Sequence, residues 1–124
     1  MESLQIEGTP FTPNVDLNYK TGVFSFTGKS VSENTPKFYQ PVFEWLENYS
    51  QSPLATTKIN IQLDYFNTAS AKVLMDLFKR VEKIEKSAVE INWFYDDYDE
   101  DMQEAGENYQ SISKVKFNII SFTK

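Results

Sequence analysis

An N-terminal hairpin followed by helices alternating with strands predicts an α/β fold. The expected form is an open sandwich, a mixed sheet with its helices mainly on one face. Three observations carry this. Strands separated by helices of this length are most simply parallel, joined by right-handed crossovers. The strands alternate apolar and polar residues, whereas a parallel sheet covered on both faces reads as continuously apolar. The 124 residues, 40% of them hydrophobic, suffice for one core but not for two ordinary domains, so one domain over residues 1–124 is expected.

The elements follow in chain order. Leu4 and Ile6 suggest a short first strand, limited by Pro10 and Pro13. Val15, Leu17 and Tyr19 alternate with Asp16 and Asn18, Lys20-Thr21-Gly22 supplies a turn, and Val23 to Thr27 returns as a strand that Gly28 is expected to end. Thr35 reads as a helix N-cap with Pro36 at the first helical position. Phe38, Val42, Trp45, Leu46 and Tyr49 then recur at helical spacing. Pro41 implies either a kink or a regular helix that begins there.

Thr57 to Tyr65 is the cleanest strand, with Ile59, Ile61, Leu63 and Tyr65 expected to face inward. The following helix should bury Val73, Leu74, Leu77, Phe78, Val81 and Ile84, and expose Lys72, Asp76, Lys79, Arg80, Glu82, Lys83 and Lys86. Val89, Ile91, Trp93 and Tyr95 mark another strand, with Phe94 on its polar side. Asp99 to Tyr109 forms an acidic helix, expected to end near Gly106 or shortly after. Val115, Phe117 and Ile119 form a last strand, with Ile120 and Phe122 on its other face.

Composition removes several function classes. The chain has no Cys and no His. Nucleophile systems built on Cys–His or Ser–His–Asp, and His-based zinc sites, are therefore impossible within it. The absence of Cys fits a reducing, cytoplasmic setting. A net charge of −6 argues against a nucleic-acid surface and favours a basic patch on a partner protein. No apolar run approaches the roughly 20 residues of a membrane helix, and the N-terminus lacks signal-peptide regions.

Chemistry in a parallel sheet collects at the carboxyl ends of the strands. Two such ends stand out here, Asp64-Tyr65-Phe66-Asn67-Thr68-Ala69-Ser70 and Asp96-Asp97-Tyr98-Asp99-Glu100-Asp101. If their strands are neighbours, the two share an edge. Asn67, Thr68 and Ser70 all suit a helix cap, yet a hydroxyl there also stands where a phosphate would meet free amides and the helix dipole. The two readings can hold together. Asp97, Asp99 and Asp101 imitate the start of an EF-hand, but Met102 stands where Gly is needed and Asn108 where the bidentate Glu belongs. No metal or cofactor is expected.

Three stretches together resemble the SiaC family of bacterial regulatory phosphoproteins. They are Val31-Ser32-Glu33-Asn34 with Phe38-Tyr39-Gln40-Pro41 and Trp45-Leu46, then Asp64 through Lys72, then Trp93-Phe94-Tyr95-Asp96 with Asp99, Asp101-Met102, Glu104, Gly106-Glu107 and Tyr109. The resemblance implies a STAS-like fold, that of anti-sigma-factor antagonists, and a non-enzymatic switch. It further implies a partner kinase that phosphorylates the strand–helix joint and a PP2C-type phosphatase that reverses it. In the best-known system of the family, the unmodified protein activates a diguanylate cyclase, raising cyclic-di-GMP and favouring biofilm. By this resemblance Thr68 is the phosphoacceptor, with Ser70 the fallback. Asp64, Asn67, Ser70, Asp96 and Asp97 are the expected partner-binding residues.

Two other classes compete with a phosphorylation-controlled interaction protein. One is a small metal-dependent enzyme using Asp64, Asp96, Asp97 and Asp99. The other is a passive scaffold in which Thr68 merely caps a helix.

Overall fold

The computed structural model describes residues 1–123. Its elements are β1 (Leu4–Ile6), β2 (Asn14–Asn18), β3 (Val23–Ser30), α1 (Thr35–Tyr49), β4 (Thr56–Phe66), α2 (Thr68–Glu82), β5 (Ala88–Asp96), α3 (Glu100–Ile112) and β6 (Lys116–Phe122). The six strands form one sheet in sequence order. β1, β2 and β3 are antiparallel, and β3 through β6 run parallel. The expected α/β open sandwich with a mixed sheet is the observed architecture.

Strand alternation decides which face is covered. Phe24 and Phe26 of β3, Ile59, Ile61 and Leu63 of β4, Ile91 and Trp93 of β5 and Phe117 of β6 are buried. They form one core with Tyr39, Val42 and Leu46 of α1, Leu74, Leu77, Phe78 and Val81 of α2, and Met102 and Tyr109 of α3. Aromatic edges interlock there, with Phe24 against Trp45 at 5.0 Å and Phe78 against Tyr109 at 5.1 Å between ring centroids. The opposite face is polar. On it Asn118 donates to Asn92 and Asn92 to Asn60, both at 2.9 Å, a side-chain ladder across three parallel strands.

Several boundaries differ from the sequence expectation. Gly28 does not end β3. It adopts φ +104°, open to glycine, and the strand continues to Ser30 after a register step. Gly28 pairs with Leu63 and Lys29 with Tyr65, which leaves Asp64 as an extra residue on β4. A bulge of this kind resets the side-chain alternation. Asp64 and Tyr65 are consequently both exposed, while Phe66 turns in against Trp93 at 5.9 Å. Tyr65 was expected inward and stands instead 59% exposed.

The cap of α1 is Asn34, whose side chain accepts from the Lys37 amide at 3.2 Å, rather than Thr35. Thr35 is the first helical residue, and its hydroxyl donates to the Ser32 carbonyl at 3.2 Å. Pro41 neither starts nor ends α1. Its missing N–H leaves the carbonyl of Lys37 without a helical donor. Both residues are exposed, so water can serve that carbonyl.

α3 runs past Gly106 to Ile112. Gly106 sits in mid-helix because the Trp93 ring lies against it. A Cβ there would approach Trp93 Cδ1 to 2.5 Å. The glycine is a packing requirement and not a stop signal. Gly106→Ala should therefore destabilise the fold by about 1–3 kcal/mol through overpacking. Urea unfolding followed by Trp fluorescence would register this as a lower midpoint at unchanged slope. A variant as stable as the parent would show that the Trp93 ring has room to retreat.

Candidate functional site at the strand–helix joint

β4 ends at Phe66 and α2 begins at Thr68, with Asn67 between them. Asn67 is held from both sides. Its amide donates to the Ser30 carbonyl at 3.2 Å, and its carbonyl accepts from Ala71 at 3.0 Å. Its side-chain oxygen accepts from the Ser70 amide at 2.9 Å, so Asn67 is the N-cap of α2.

The two hydroxyls of the joint differ sharply. Ser70 is fully buried, at 0% exposure. Its Oγ donates to the Ser30 carbonyl at 2.6 Å and lies 2.8 Å from the Ser30 Oγ, which in turn lies 2.8 Å from the Tyr39 hydroxyl. Burial pushes the Tyr39 pKa up, with the Ser30 contact acting weakly the other way. Ser70 is thus a fastening between β3, α1 and α2. A buried, hydrogen-bonded hydroxyl meets neither a kinase nor a partner surface while the protein is folded, which removes Ser70 from both roles expected of it.

Thr68 is exposed at the first position of α2, and its hydroxyl has no hydrogen-bond partner among the described residues. It is not the cap. The amides of Thr68 and Ala69 lack intrahelical acceptors, as first-turn amides must. The first turn of α2 carries no acidic residue, and exposed Lys72 follows one turn on. The start of α3 is the opposite case, with Asp99 as cap and Glu100 and Asp101 already in its first turn. Of these two helix starts at the carboxyl edge, α2 is the one whose dipole has no acid in its first turn.

β4 and β5 are parallel neighbours, and Asp64 and Asp96 do share an edge. With Leu63, Tyr98, Asp99 and Phe122 they line one depression beside the joint. Asp96 accepts from the Tyr98 amide at 3.1 Å, and Asp99 is committed to its helix cap at 3.0 Å. Asp97 turns away toward β6, where its amide donates to the Phe122 carbonyl at 2.9 Å and its carboxylate accepts from the Thr123 hydroxyl. Among the described residues no group of three or more carboxylates is placed to hold a metal ion.

Sequence reasoning gave no site role to four residues of this region. Ser30 falls beyond the glycine that was expected to end its strand. Tyr98, 89% exposed, and Tyr65 stand beside the carboxylates as open aromatics. Tyr109 of α3 donates its hydroxyl to the Ala71 carbonyl at 2.9 Å, pinning the first turn of α2 from the far side. A serine at an inward position of an apolar strand was the available signal for Ser30. The bulge that exposes Tyr65 left no mark in the sequence pattern.

With this geometry described, comparison with known proteins is decisive. Residues 6–122 match the model of the SiaC family regulatory phosphoproteins. The chain belongs to the SiaC family. An uncharacterised protein of Pseudomonas aeruginosa (strain UCBPP-PA14) is 28% identical over 121 residues, which are 96% of each chain. The structure of SiaC of Pseudomonas aeruginosa superposes with a TM-score of 0.89 at 26% identity, over 98% of this chain and 100% of that one. A crystal structure of the diguanylate cyclase SiaD in complex with its activator SiaC, from the same organism, matches with a TM-score of 0.89 at 27% identity, over 96% and 99%. Members of the SiaC family are regulatory phosphoproteins, and the signatures that suggested membership span all three helices and the joint.

Two outcomes follow from the geometry. Asn67→Ala should cost about 0.5–2 kcal/mol by loss of the cap, and Ser70→Ala about 1–3 kcal/mol by orphaning buried partners. Thr68→Ala should stay within about 0.5 kcal/mol of the parent. Chemical denaturation of the three variants side by side checks the order, and a costly Thr68→Ala would contradict it. Burial also pushes the Tyr109 pKa up from its ordinary 10.0 to about 12. A folded-state value above the unfolded one means the unfolded chain loses its proton first. The stability tied to Tyr109 is therefore complete below pH 10.0 and lost as pH rises to about 12. Thermal melts across that window should show a decline that is shallower in Tyr109→Phe.

Proposed function

We propose that this chain is a non-enzymatic signalling switch, a single regulatory domain whose partner binding is gated by reversible phosphorylation of Thr68. The observation that carries the reading is the division of labour at the joint. Asn67 caps the helix and Ser70 locks it from within, which leaves Thr68 exposed with no structural duty. A cognate kinase would add the phosphate and a PP2C-type phosphatase remove it. The output partner is a diguanylate cyclase, by analogy with the SiaC that activates SiaD. The Cys-free composition suits action in a reducing cytoplasm.

The physical gate is electrostatic. Phosphate adds about −1.5 to −2 charge at neutral pH. From the protein side it is tolerated, because free first-turn amides and Lys72 answer it. The fold therefore persists in both states. From the partner side the change is large. A face that already presents Asp64 and Asp96 beside exposed Tyr65 and Tyr98 gains further negative charge. An apolar partner surface that fits the unmodified joint would then have to desolvate a dianion. Partner contact is assigned to Asp64 and Asp96, with Asn67 acting by holding the joint in shape, whereas Asp97 is engaged with Thr123 beside β6.

Incubation with the cognate kinase and ATP should add one phosphate, located at Thr68 by intact mass and peptide mapping. Calorimetric titration of the cyclase should show affinity at least tenfold weaker for the phosphorylated protein, and Thr68→Glu should move in the same direction. Phosphorylation elsewhere, or equal affinity of both forms, would refute the proposal.

A further inference from the structure

At the other end of α2 the molecule carries a second feature, unrelated to Thr68. Between α2, α3 and β6 lies a cleft of about 550 Å³. Phe78, Tyr109 and Phe117 lie together beneath it, their rings edge to face at 5.1 Å and 5.6 Å. Met75 and Ile112 line its sides, and Ile112 is 55% exposed. That volume and apolar lining fall in the range of small-molecule sites.

The rim is basic. Lys79 and Lys83, one turn apart at the end of α2, and Lys114 before β6 border the cleft. None of the three forms an ion pair among the described residues. The single carboxylate on the rim, Glu82, accepts the Lys114 amide at 3.2 Å. The chain as a whole is acidic, at net −6, yet three lysines and one carboxylate border this cleft. Favourable contact with the C-terminal dipole of α2 explains Lys79 and Lys83. It explains neither Lys114 nor an exposed isoleucine over an aromatic floor.

We infer that this cleft binds an anionic amphiphile, a medium-chain aliphatic carboxylate whose tail lies on Phe78, Tyr109 and Phe117 and whose head meets Lys79, Lys83 and Lys114. The charge rim selects the sign of the head group, and the apolar walls of Met75 and Ile112 above the buried aromatic floor admit an aliphatic tail. Met75 suits such a wall because an unbranched thioether adapts to tails of different length.

The test uses the full chain and decanoate below its self-association concentration, followed by NMR of the Met75 and Ile112 methyl groups. One equivalent should saturate the shifts, and shortening the tail to octanoate should weaken binding by roughly threefold to fourfold per methylene. Lys79→Gln/Lys83→Gln should bind at least tenfold more weakly with an unchanged melting temperature. Ile112→Ser provides a second surface variant with the same expected direction. The inference is overturned if decanoate leaves these methyls unmoved, or if decyltrimethylammonium binds as tightly. It is equally overturned if the variants bind like the parent. A response to an acidic amphipathic peptide but not to decanoate would make the cleft a protein-docking surface, and the small-ligand assignment would fall.

Discussion

The carbonyl of Ser30 accepts two donors at once, the Asn67 amide at 3.2 Å and the Ser70 hydroxyl at 2.6 Å. Through these bonds the end of β3 fixes both sides of the strand–helix joint. The Ser30 hydroxyl continues the chain to Tyr39 of α1 at 2.8 Å. Ser30, Ser70 and Tyr39 are buried, so breaking a contact among them strands a polar group in a low-dielectric interior. A similar arrangement closes the other end of the sheet, where the Thr57 hydroxyl lies 2.7 Å from that of Tyr49 and 2.6 Å from that of Ser87. The parallel strands are thus clamped to their helices at both ends by hydroxyl contacts, with apolar packing between. A modifiable residue can sit on such a joint without endangering it, because rigidity is supplied from below.

The register step between β3 and β4 governs what the joint displays. Without the extra residue Asp64, strict alternation would send Tyr65 into the core and Phe66 outward. With it, an acid and a tyrosine stand together on the surface while Phe66 packs on Trp93. The surface beside Thr68 and the core beneath it are therefore set by one local irregularity. The same irregularity sets an exposed acid and an exposed aromatic side by side next to the strand–helix joint.

Much of the fold was legible in the sequence because strand alternation and helix periodicity are direct records of burial. The one-sided covering of the sheet followed from strands that alternate apolar with polar residues rather than running continuously apolar. The errors share a cause. Gly28 and Gly106 were read as punctuation, yet each is answered by tertiary context, a bulge and the Trp93 ring. At the site, residue types identified the joint, but neighbouring hydroxyls look alike in a sequence. The resemblance ranks Thr68 above Ser70, and the fold supplies the physical difference: Thr68 faces out, whereas Ser70 faces Ser30 and Tyr39.

The ladder from Asn118 through Asn92 to Asn60 bears on how the sheet assembles. Parallel strands meet only after long crossovers, so their pairing is formed from distant parts of the chain and is slow to correct. A slip of one residue would turn an asparagine toward Trp93 and Phe117 and leave its amide without partners. Misaligned sheets are thereby penalised row by row, before the helices close over them. The ladder thus ties strand register to side-chain hydrogen bonding on the uncovered face as well as to apolar packing on the covered one.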